Sequence, residues 1–578
     1  MLWRFGTGPV FTFELLTISR RWQVYATRGG FVGLLLLGLG SVALKELSQP
    51  VVYAPQLASV GQSFFTILTI IQLGLIMLAA PASTAGSICL DRARGTLAHV
   101  LMTDLSSSEI ILGKFASRLL PTLALILCSL PVALIATLLG GIDPEALVGL
   151  FLLSLAVAFL GCSLAIMLSV WASKTHEVLL VIFGLWACWI LSSPILEDGG
   201  NVLGWANFFV IFESANPFYL AMAPYNSPLT FRLWHDLVFL AVCSGLSLGF
   251  LGIATLKVRH VSAKTNKQAR PYQPHRLWKW LPGPSLDTNP VFWREWNRAR
   301  PSRWTRWVSW TLGSIYVLLI VVDTCKTLNE FWMGSTSTSR YPNSEFGPLV
   351  HGFAIAVGLM IVAVNASTSL AEERVRGSLD VLMTTPLSTR TIVMAKWWGV
   401  FLRGTILLLP PTFAVTLDVL VYQGGPLTIL LMPCLILSYL AGVASLGLFV
   451  ATLTPRLGRA VGWVVAIYAM VAVGGYLFPM MVLQPDTNDL DFGLACISPF
   501  VGVAITVIGA ENSEQWESWG GRGWITIWIV VYTTIHFALL VLTLTSFDRK
   551  LGRVSEKRFS LRMTKRQPIF AINLRSGG

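Results

Sequence analysis

The chain has 578 residues, of which 54% are hydrophobic and only 12% are charged, and its formal net charge is +13. Soluble domains carry about 25% charged residues, so this composition excludes an ordinary soluble protein and predicts a chain made mostly of membrane spans. Basic residues beside such spans account for the positive charge through contact with anionic lipid. We therefore expect the lipid bilayer, and no nucleic acid, as the partner of the basic segments.

The apolar segments predict an all-α integral membrane protein with about twelve transmembrane helices. A helix needs about 20 apolar residues to cross a bilayer, and helices satisfy their own backbone polar groups inside lipid. The first span of each half is weak, because its uncharged run has only 16 residues. The predicted spans of the first half are 25–44, 63–90, 119–140, 146–170, 178–196 and 237–256. Those of the second half are 307–322, 349–370, 404–422, 427–451, 460–483 and 523–547.

An internal repeat divides the chain into two similar halves. Residues 95–114 align without a gap with residues 377–396, at an offset of 282, and 7 of the 20 positions are identical. A repeat on this scale predicts two tandem six-helix units. The predicted domains are a first six-span half (1–259), a basic linker (260–288), a second six-span half (289–548) and a basic tail (549–578).

Charge predicts the orientation of these spans. Residues 257–306 contain 12 basic and 2 acidic residues, whereas residues 484–521 contain six acidic and no basic residues. Because basic loops stay on the cytoplasmic side, we expect the linker and both termini in the cytoplasm and the protein in the plasma (inner) membrane. The first apolar run lacks a small-x-small cleavage site at its end, so it is expected to remain as a span.

Each half carries a charged element between its second and third spans, with the pattern acid-Arg-x-Arg-Gly-[Ser/Thr]-Leu, a turn and then a lysine. The pattern predicts a short amphipathic helix that is broken at the glycine, where a helix must yield to a turn. Such a helix can dock into a groove of a partner protein. The alternative is a loop that only anchors the spans by its positive charge. The candidate residues are Asp91, Arg92, Arg94, Gly95 and Lys114 in the first copy, and Glu373, Arg374, Arg376, Gly377, Pro386 and Lys396 in the second.

Three other features recur in both halves. A short helix lying in the head-group layer is predicted before each first span, with Glu14 in one copy and Glu295 in the other. The long segments 197–236 and 484–522, with matching turns at 216–218 and 498–500, predict short re-entrant or interfacial helices at the outer leaflet. A second inner loop joins the fourth and fifth spans, and its charged residues are Lys174 and Glu177 in the first half and Arg456 and Arg459 in the second.

The sequence contains no arrangement that predicts catalysis. It has no nucleophile–base pattern and no metal-binding spacing, and Gly113-Lys114 lacks the upstream glycine of a phosphate-binding loop. We therefore expect neither enzymatic activity nor a metal or cofactor in this chain. Two questions stay open: whether Cys325 and Cys496 form a disulfide, and whether His536 lines a pathway or packs between helices.

The second charged element closely resembles the cytoplasmic loop of ABC (ATP-binding cassette) type-2 transporter permeases. The resemblance lies in Glu373-Arg374-Val375-Arg376-Gly377-Ser378-Leu379, Thr385-Pro386-Leu387-Ser388 and Lys396, and the first copy departs from it at Asp91 and Asp104. It implies a permease with two six-span halves, each with an in-plane connecting helix, a coupling helix and small outer helices. It also implies an ABC ATPase subunit as partner, in two copies, which binds ATP and Mg. Export is the expected direction, and the substrate is unknown.

Two other classes of function remain as alternatives. An ion-gradient-driven secondary transporter of fused repeats needs ionisable residues near mid-bilayer, and the sequence offers only His536 and Asp418. A membrane scaffold that moves no substrate is the second. Both leave the paired charged elements without an ATPase to serve, so a neighbouring ATPase gene would discriminate among the three.

Overall fold

The structure is a computed structural model. It describes residues 8–20, 22–47, 54–93, 95–138, 141–172, 175, 177–179, 181–186, 189–190, 215–226, 233–265, 289–297, 303–333, 346–375, 377–422, 425–454, 457–475, 493–511 and 520–551.

The first half is described as nine helices. They are α1 (Gly8–Ser19), α2 (Trp22–Leu47), α3 (Ala54–Thr84), α4 (Cys89–Ala93), α5 (Thr96–Leu101), α6 (Ser107–Leu138), α7 (Pro144–Trp171), α8 (Pro217–Asn226) and α9 (Trp234–Thr265). A shorter apolar helix, Glu177–Trp186, lies between α7 and α8.

The second half repeats this order. Its helices are α10 (Pro290–Asn297), α11 (Arg303–Met333), α12 (Phe346–Val375), α13 (Ser378–Thr384), α14 (Thr389–Gly404), α15 (Leu409–Tyr422), α16 (Thr428–Leu453), α17 (Leu457–Ala469), α18 (Pro499–Glu511) and α19 (Gly521–Leu551). A 3₁₀ turn, Thr405–Leu408, joins α14 to α15. It precedes Pro410 and Pro411, which lack the N–H that a continuous helix needs.

The structure confirms an all-α membrane protein, with no strand among the residues it describes. Within the described ranges, eight helical segments are long and apolar enough to cross a membrane, and they coincide with eight of the twelve predicted spans. The other four predicted spans coincide with the shorter apolar helices Val24–Gly40, Glu177–Trp186, Gly313–Cys325 and Arg459–Ala472. The domain boundaries remain predictions, because most of the linker and of the tail lies outside the described residues.

The third spans begin earlier than predicted. The sequence placed their starts at 119 and 404, whereas the helices begin at Ser107 and Thr389. Both starts are capped: Ser106 and Glu109 bond each other's backbone N–H groups, and Ser388 Oγ accepts from Thr391 N. Such caps satisfy the first amides of a helix. Each of these helices therefore has additional N-terminal turns that contain a lysine. The charge of that lysine is compensated by neighbouring carboxylates, which the sequence alone does not reveal.

The fourth span is the centre of each half. In the first half α7 packs against α3, α6, α8 and α9, and in the second half α16 packs against α12, α17, α18 and α19. These two helices are apolar on all sides, as buried spans are. Asp143 caps α7, because its Oδ1 accepts from Glu145 N at 3.0 Å and Pro144 occupies the first helical position.

A buried amide joins three spans of the first half. Gln72 on α3 is fully buried, and its Nε2 donates to Ser154 Oγ on α7 at 2.9 Å. Its Oε1 accepts from Ser129 Oγ on α6 at 2.7 Å. Polar side chains that bond across apolar helices fix their relative position, since an unpaired partner would be costly in lipid.

Short helices close the end of the bundle opposite the charged elements, which we call the distal end. α8 begins at Pro217, where Asn216 Oδ1 accepts from Phe218 N at 3.0 Å, and α18 begins at Pro499. These are the helices expected from the matching turns at 216–218 and 498–500. In the second half, Tyr439 on α16 donates to the Cys496 carbonyl at 2.8 Å and so holds the segment that leads into α18.

Candidate functional site: two charged junctions

The charged element of each half folds as a short helix after a left-handed glycine. Gly95 has φ 76° and precedes α5, and Gly377 has φ 70° and precedes α13. A Cβ at either position would meet nothing within 4 Å. The glycines are therefore required by backbone conformation and not by lack of space, because L side chains are strained in this region.

These short helices are amphipathic. In the first half Leu97 is buried among residues of α6, α7 and α9, and in the second half Leu379 is buried beside Phe547 of α19. The opposite sides are exposed, with Met102 at 83% and Val381 at 68%, and Pro386 is exposed in the turn that follows. One side of each helix is thus fixed to the bundle, and the other side is exposed, with an apolar residue beside polar ones such as Asp104 and Asp380.

In the first half, one lysine is the centre of a group of ion pairs that we call the first junction. Lys114 Nζ on α6 lies 2.6 Å from Glu14 Oε1 on α1 and 2.6 Å from Asp91 Oδ2 on α4. Arg118 Nη2 lies 3.1 Å from Glu14 Oε2, and Ser117 Oγ donates to the same oxygen at 3.2 Å. The lysine therefore ties the N-terminal helix, the charged element and the third span together.

The second junction repeats this arrangement. Lys396 Nζ on α14 lies 3.3 Å from Glu295 Oε1 on α10 and 2.9 Å from Glu373 Oε2 at the end of α12. Two arginines complete it: Arg403 lies 3.4 Å from Glu295, and Arg294 lies 3.6 Å from Glu373. The pairing of lysine, helix glutamate and element acid is thus the same in both halves.

The two junctions differ in burial. The Glu295 and Glu373 side chains are 4% and 2% exposed, whereas those of Glu14 and Asp91 are 15% and 29% exposed. Water reaches the carboxylates of the first junction and screens them, but hardly reaches those of the second. Loss of one partner leaves an uncompensated charge, and this is much more costly where the remaining group is buried.

The arginine after each acid binds the end of the fourth span. Arg92 Nη2 donates to the Val170 carbonyl of α7, and Arg374 Nη1 donates to the Thr454 carbonyl after α16 at 2.6 Å. Arg374 Nη2 also donates to the Thr452 carbonyl at 3.4 Å. The last carbonyls of a helix lack intrahelical partners, and a cation suits the negative end of the helix dipole.

The sixth span of each half also holds the charged element. Arg259 on α9 donates to the Leu105 carbonyl at 2.8 Å and to Ser107 Oγ at 3.0 Å. In the second half Thr389 Oγ1 donates to Asp548 Oδ1 of α19. Each junction therefore contacts the N-terminal helix and the third, fourth and sixth spans of its half, which makes it the point where movement of the short helix would reach the bundle.

Several predicted residues occupy other positions than expected. The acid and arginine of each element were predicted to belong to the docking helix, but they lie before the glycine, and Glu373 is 1% exposed because Lys396 compensates its charge inside the bundle. Glu177 is buried, whereas Arg459 is exposed, so the second inner loops are not equivalent. The predicted residues outside the described part of the chain are Arg94, Arg376, Lys174 and Arg456.

Sequence reasoning missed part of the junctions. The additional residues are Arg118, Arg259, Arg294, Arg403 and Asp548. Arg118 lies one helical turn after Lys114, at a spacing that shares a helix face, and this signal could have identified it. Arg259 and Asp548 carry no such signal, because they belong to spans far along the chain.

The two open questions are also answered. Cys325 is exposed and Cys496 is buried, and both thiols are free, so the two cysteines form no disulfide in this structure. His536 is buried, its Nδ1 lies 2.6 Å from Ser445 Oγ, and its ring stacks on Trp397 with centroids 4.9 Å apart. It packs between helices. Among the described residues, no group of three or more His, Cys, Asp or Glu side chains could hold a metal ion.

The repeated spans and the paired junctions at one end define a multi-pass membrane protein with two tandem halves. The chain matches the family described as ABC-2 family transporter protein over residues 35–234 and 289–550, and it belongs to that family. The two matched regions agree with a fused two-half permease, which confirms the resemblance. No curated protein matches the chain with significant similarity. Membership makes the chain a permease component of an ABC transporter.

Proposed function

We propose that this permease is driven by a separate ATPase subunit, which docks on the exposed tips of α5 and α13. One observation carries the proposal: each short helix ends in or carries an exposed apolar side chain, Met102 or Val381, while the acid and the arginine just before its glycine are bound to the bundle. An anchoring loop needs basic charge at the head groups but no uncovered apolar tip. Exposed apolar surface beside satisfied polar groups is typical of a protein interface.

The junctions are suited to transmit a displacement. A short helix that moves when its partner closes would pull on the segment just before its glycine, where the acid is paired with a lysine inside the third span. The arginine beside it would pull on the end of the fourth span, which is the packing centre of the half. Packed helices move as rigid bodies between discrete arrangements, so the two halves would alternate access to a pathway.

The remaining parts of the proposal rest on the family and on charge. Two short helices call for two ATPase copies, which would bind ATP and Mg, so that this chain performs no chemistry itself. Because basic segments tend to stay on the cytoplasmic side, the basic linker and tail support cytoplasmic termini and a location in the plasma (inner) membrane. The family resemblance favours export.

The docking role is tested by placing a charge on one tip. We expect Val381→Asp to abolish copurification of an ATPase with the tagged full-length chain from native membranes, because a carboxylate would be desolvated in an apolar groove. The matched control is Leu427→Asp, which changes an exposed apolar residue at the distal end. Both variants should insert and melt like the wild type. Equal recovery of ATPase activity with both variants would refute docking at α13.

A further inference from the structure

A cluster of titratable side chains lies at the distal end of the second half, far from the junctions. Asp323 is on α11, His351 is in the second turn of α12, and Asp418 is near the end of α15. All three residues are buried, with 9%, 0% and 4% of their surface exposed. Ionisable groups inside membrane spans are costly and are retained mostly for function.

The contacts show how these groups face one another. His351 Nε2 lies 3.6 Å from Asp323 Oδ2, and its Nδ1 lies 3.0 Å from the Tyr316 hydroxyl. Thr327, one turn beyond Asp323 on the same face of α11, donates to Asp418 Oδ1 at 3.5 Å. The cluster therefore joins α11 to α12 and to α15.

The hydrogen bonding of the cluster is incomplete. Asp418 Oδ2 and His351 Nε2 are buried and have no hydrogen-bond partner. Two carboxylates and a neutral imidazole would place two negative charges in a site that water hardly reaches. Burial and like-charge repulsion both disfavour that state, and one proton bound by the cluster would relieve both.

We propose that Asp323, His351 and Asp418 form a proton-binding site whose occupancy holds α11 against α12 and α15 at the distal end of the second half. When the site takes up a proton on Asp418, the Asp418 carboxyl group becomes a hydrogen-bond donor. One carboxylate then remains, and it can pair with His351. Proton release restores the repulsion and loosens α11. The site belongs to the second half alone, because the positions 282 residues earlier are Ser41, Thr69 and Ala136.

Other titratable groups occupy the same or adjoining helices. Tyr468 on α17 donates to the Ala356 carbonyl of α12, and Tyr439 on α16 donates to the Cys496 carbonyl, so both hydroxyls are engaged away from the cluster. Tyr422 ends α15 and Glu511 ends α18. Lys326 and Glu330 follow in the last turns of α11. Gly347 adjoins Asp323, since a Cβ there would lie 3.1 Å from Asp323 Oδ1.

The test measures opening of the distal end directly. Hydrogen–deuterium exchange of the full-length chain in lipid nanodiscs is measured between about pH 5 and 8, and the rates are corrected for intrinsic exchange. If one proton is released when the helices open, the equilibrium constant for opening rises with pH by up to ~tenfold per pH unit, and we call this dependence the pH slope. We expect this slope in residues 312–328 and 411–422. Residues 30–46 and 129–138 of the first half are the internal control and should show none.

Variants assign the slope to the site. The asparagine of Asp418→Asn is neutral and nearly isosteric with a protonated aspartate. The helices of this variant should therefore stay packed, and their exchange should lose its pH slope. Asp323→Asn should behave in the same way. Asp236→Asn is the matched control, because it removes another buried distal carboxyl, in the first half, and should keep the wild-type slope. A flat wild-type profile, or the wild-type slope in either folded cluster variant, would overturn the proposal. The measurement needs no ATPase, so its result is independent of the proposed docking.

Discussion

Removal of the lysine from the second junction should destabilise the protein far more than the same change in the first. Lys396 is 1% exposed and compensates both Glu295 and Glu373. The change Lys396→Met keeps most of the side-chain volume but leaves two buried carboxylates facing each other. Breaking a buried ion pair by removing one partner costs about 3–5 kcal/mol. Arg294 and Arg403 remain, but they are about half exposed at 3.4–3.6 Å, so we expect the lower end of that range.

The matched variant is Lys114→Met. Water reaches Glu14 and Asp91, and Arg118 still pairs with Glu14 at 3.1 Å, so the loss should be about 1–2 kcal/mol, within the usual range for single substitutions. The two losses differ by about 1–2 kcal/mol, and at about 1.4 kcal/mol for each factor of ten the unfolding equilibria of the two variants should differ by roughly 5- to 30-fold. The assay is reversible unfolding in mixed micelles, followed by tryptophan fluorescence.

A rescue separates stability from coupling. Glu295→Gln and Glu373→Gln, added to Lys396→Met, remove the unpaired charges, and neutral replacement of a buried ion pair is often harmless to folding. The triple variant should regain most of the lost stability yet fail to transmit ATP hydrolysis to transport. If Lys396→Met unfolds no more easily than Lys114→Met, the difference in burial does not govern the energetics and the reasoning is wrong.

Three further outcomes are expected. Gly377→Ala should lower the free energy of unfolding by about 1 kcal/mol through its positive φ alone, measured in the same unfolding assay, and an unchanged stability would contradict the left-handed turn. Arg374→Ala should raise hydrogen exchange in the last turn of α16, because the Thr454 carbonyl loses its donor, whereas unaltered exchange would argue against that cap. In a cysteine-free background, a cysteine at Asn201 should react with a membrane-impermeant thiol reagent and one at Lys267 should not; labelling at Lys267 in intact cells would reverse the orientation.

Much of the architecture follows from local sequence. The spans, the repeat and the break at Gly95 and Gly377 are all set by composition or by the conformational range of a single residue type, and these do not depend on distant parts of the chain. The repeated acids and lysines of the junctions were also recognisable from their repetition. Their role was not, because a glutamate before an arginine has the same sequence signature whether it faces water or a buried lysine.

Only the tertiary structure decides which charges meet. Glu14 and Lys114 are 100 residues apart, and Glu295 and Lys396 are 101 apart, so their pairing depends on how the N-terminal helix packs on the third span. The same holds for Asp323, His351 and Asp418, which come from three spans and have no shared motif. An ionisable side chain takes its role from the water and the charges around it, and packing alone determines both.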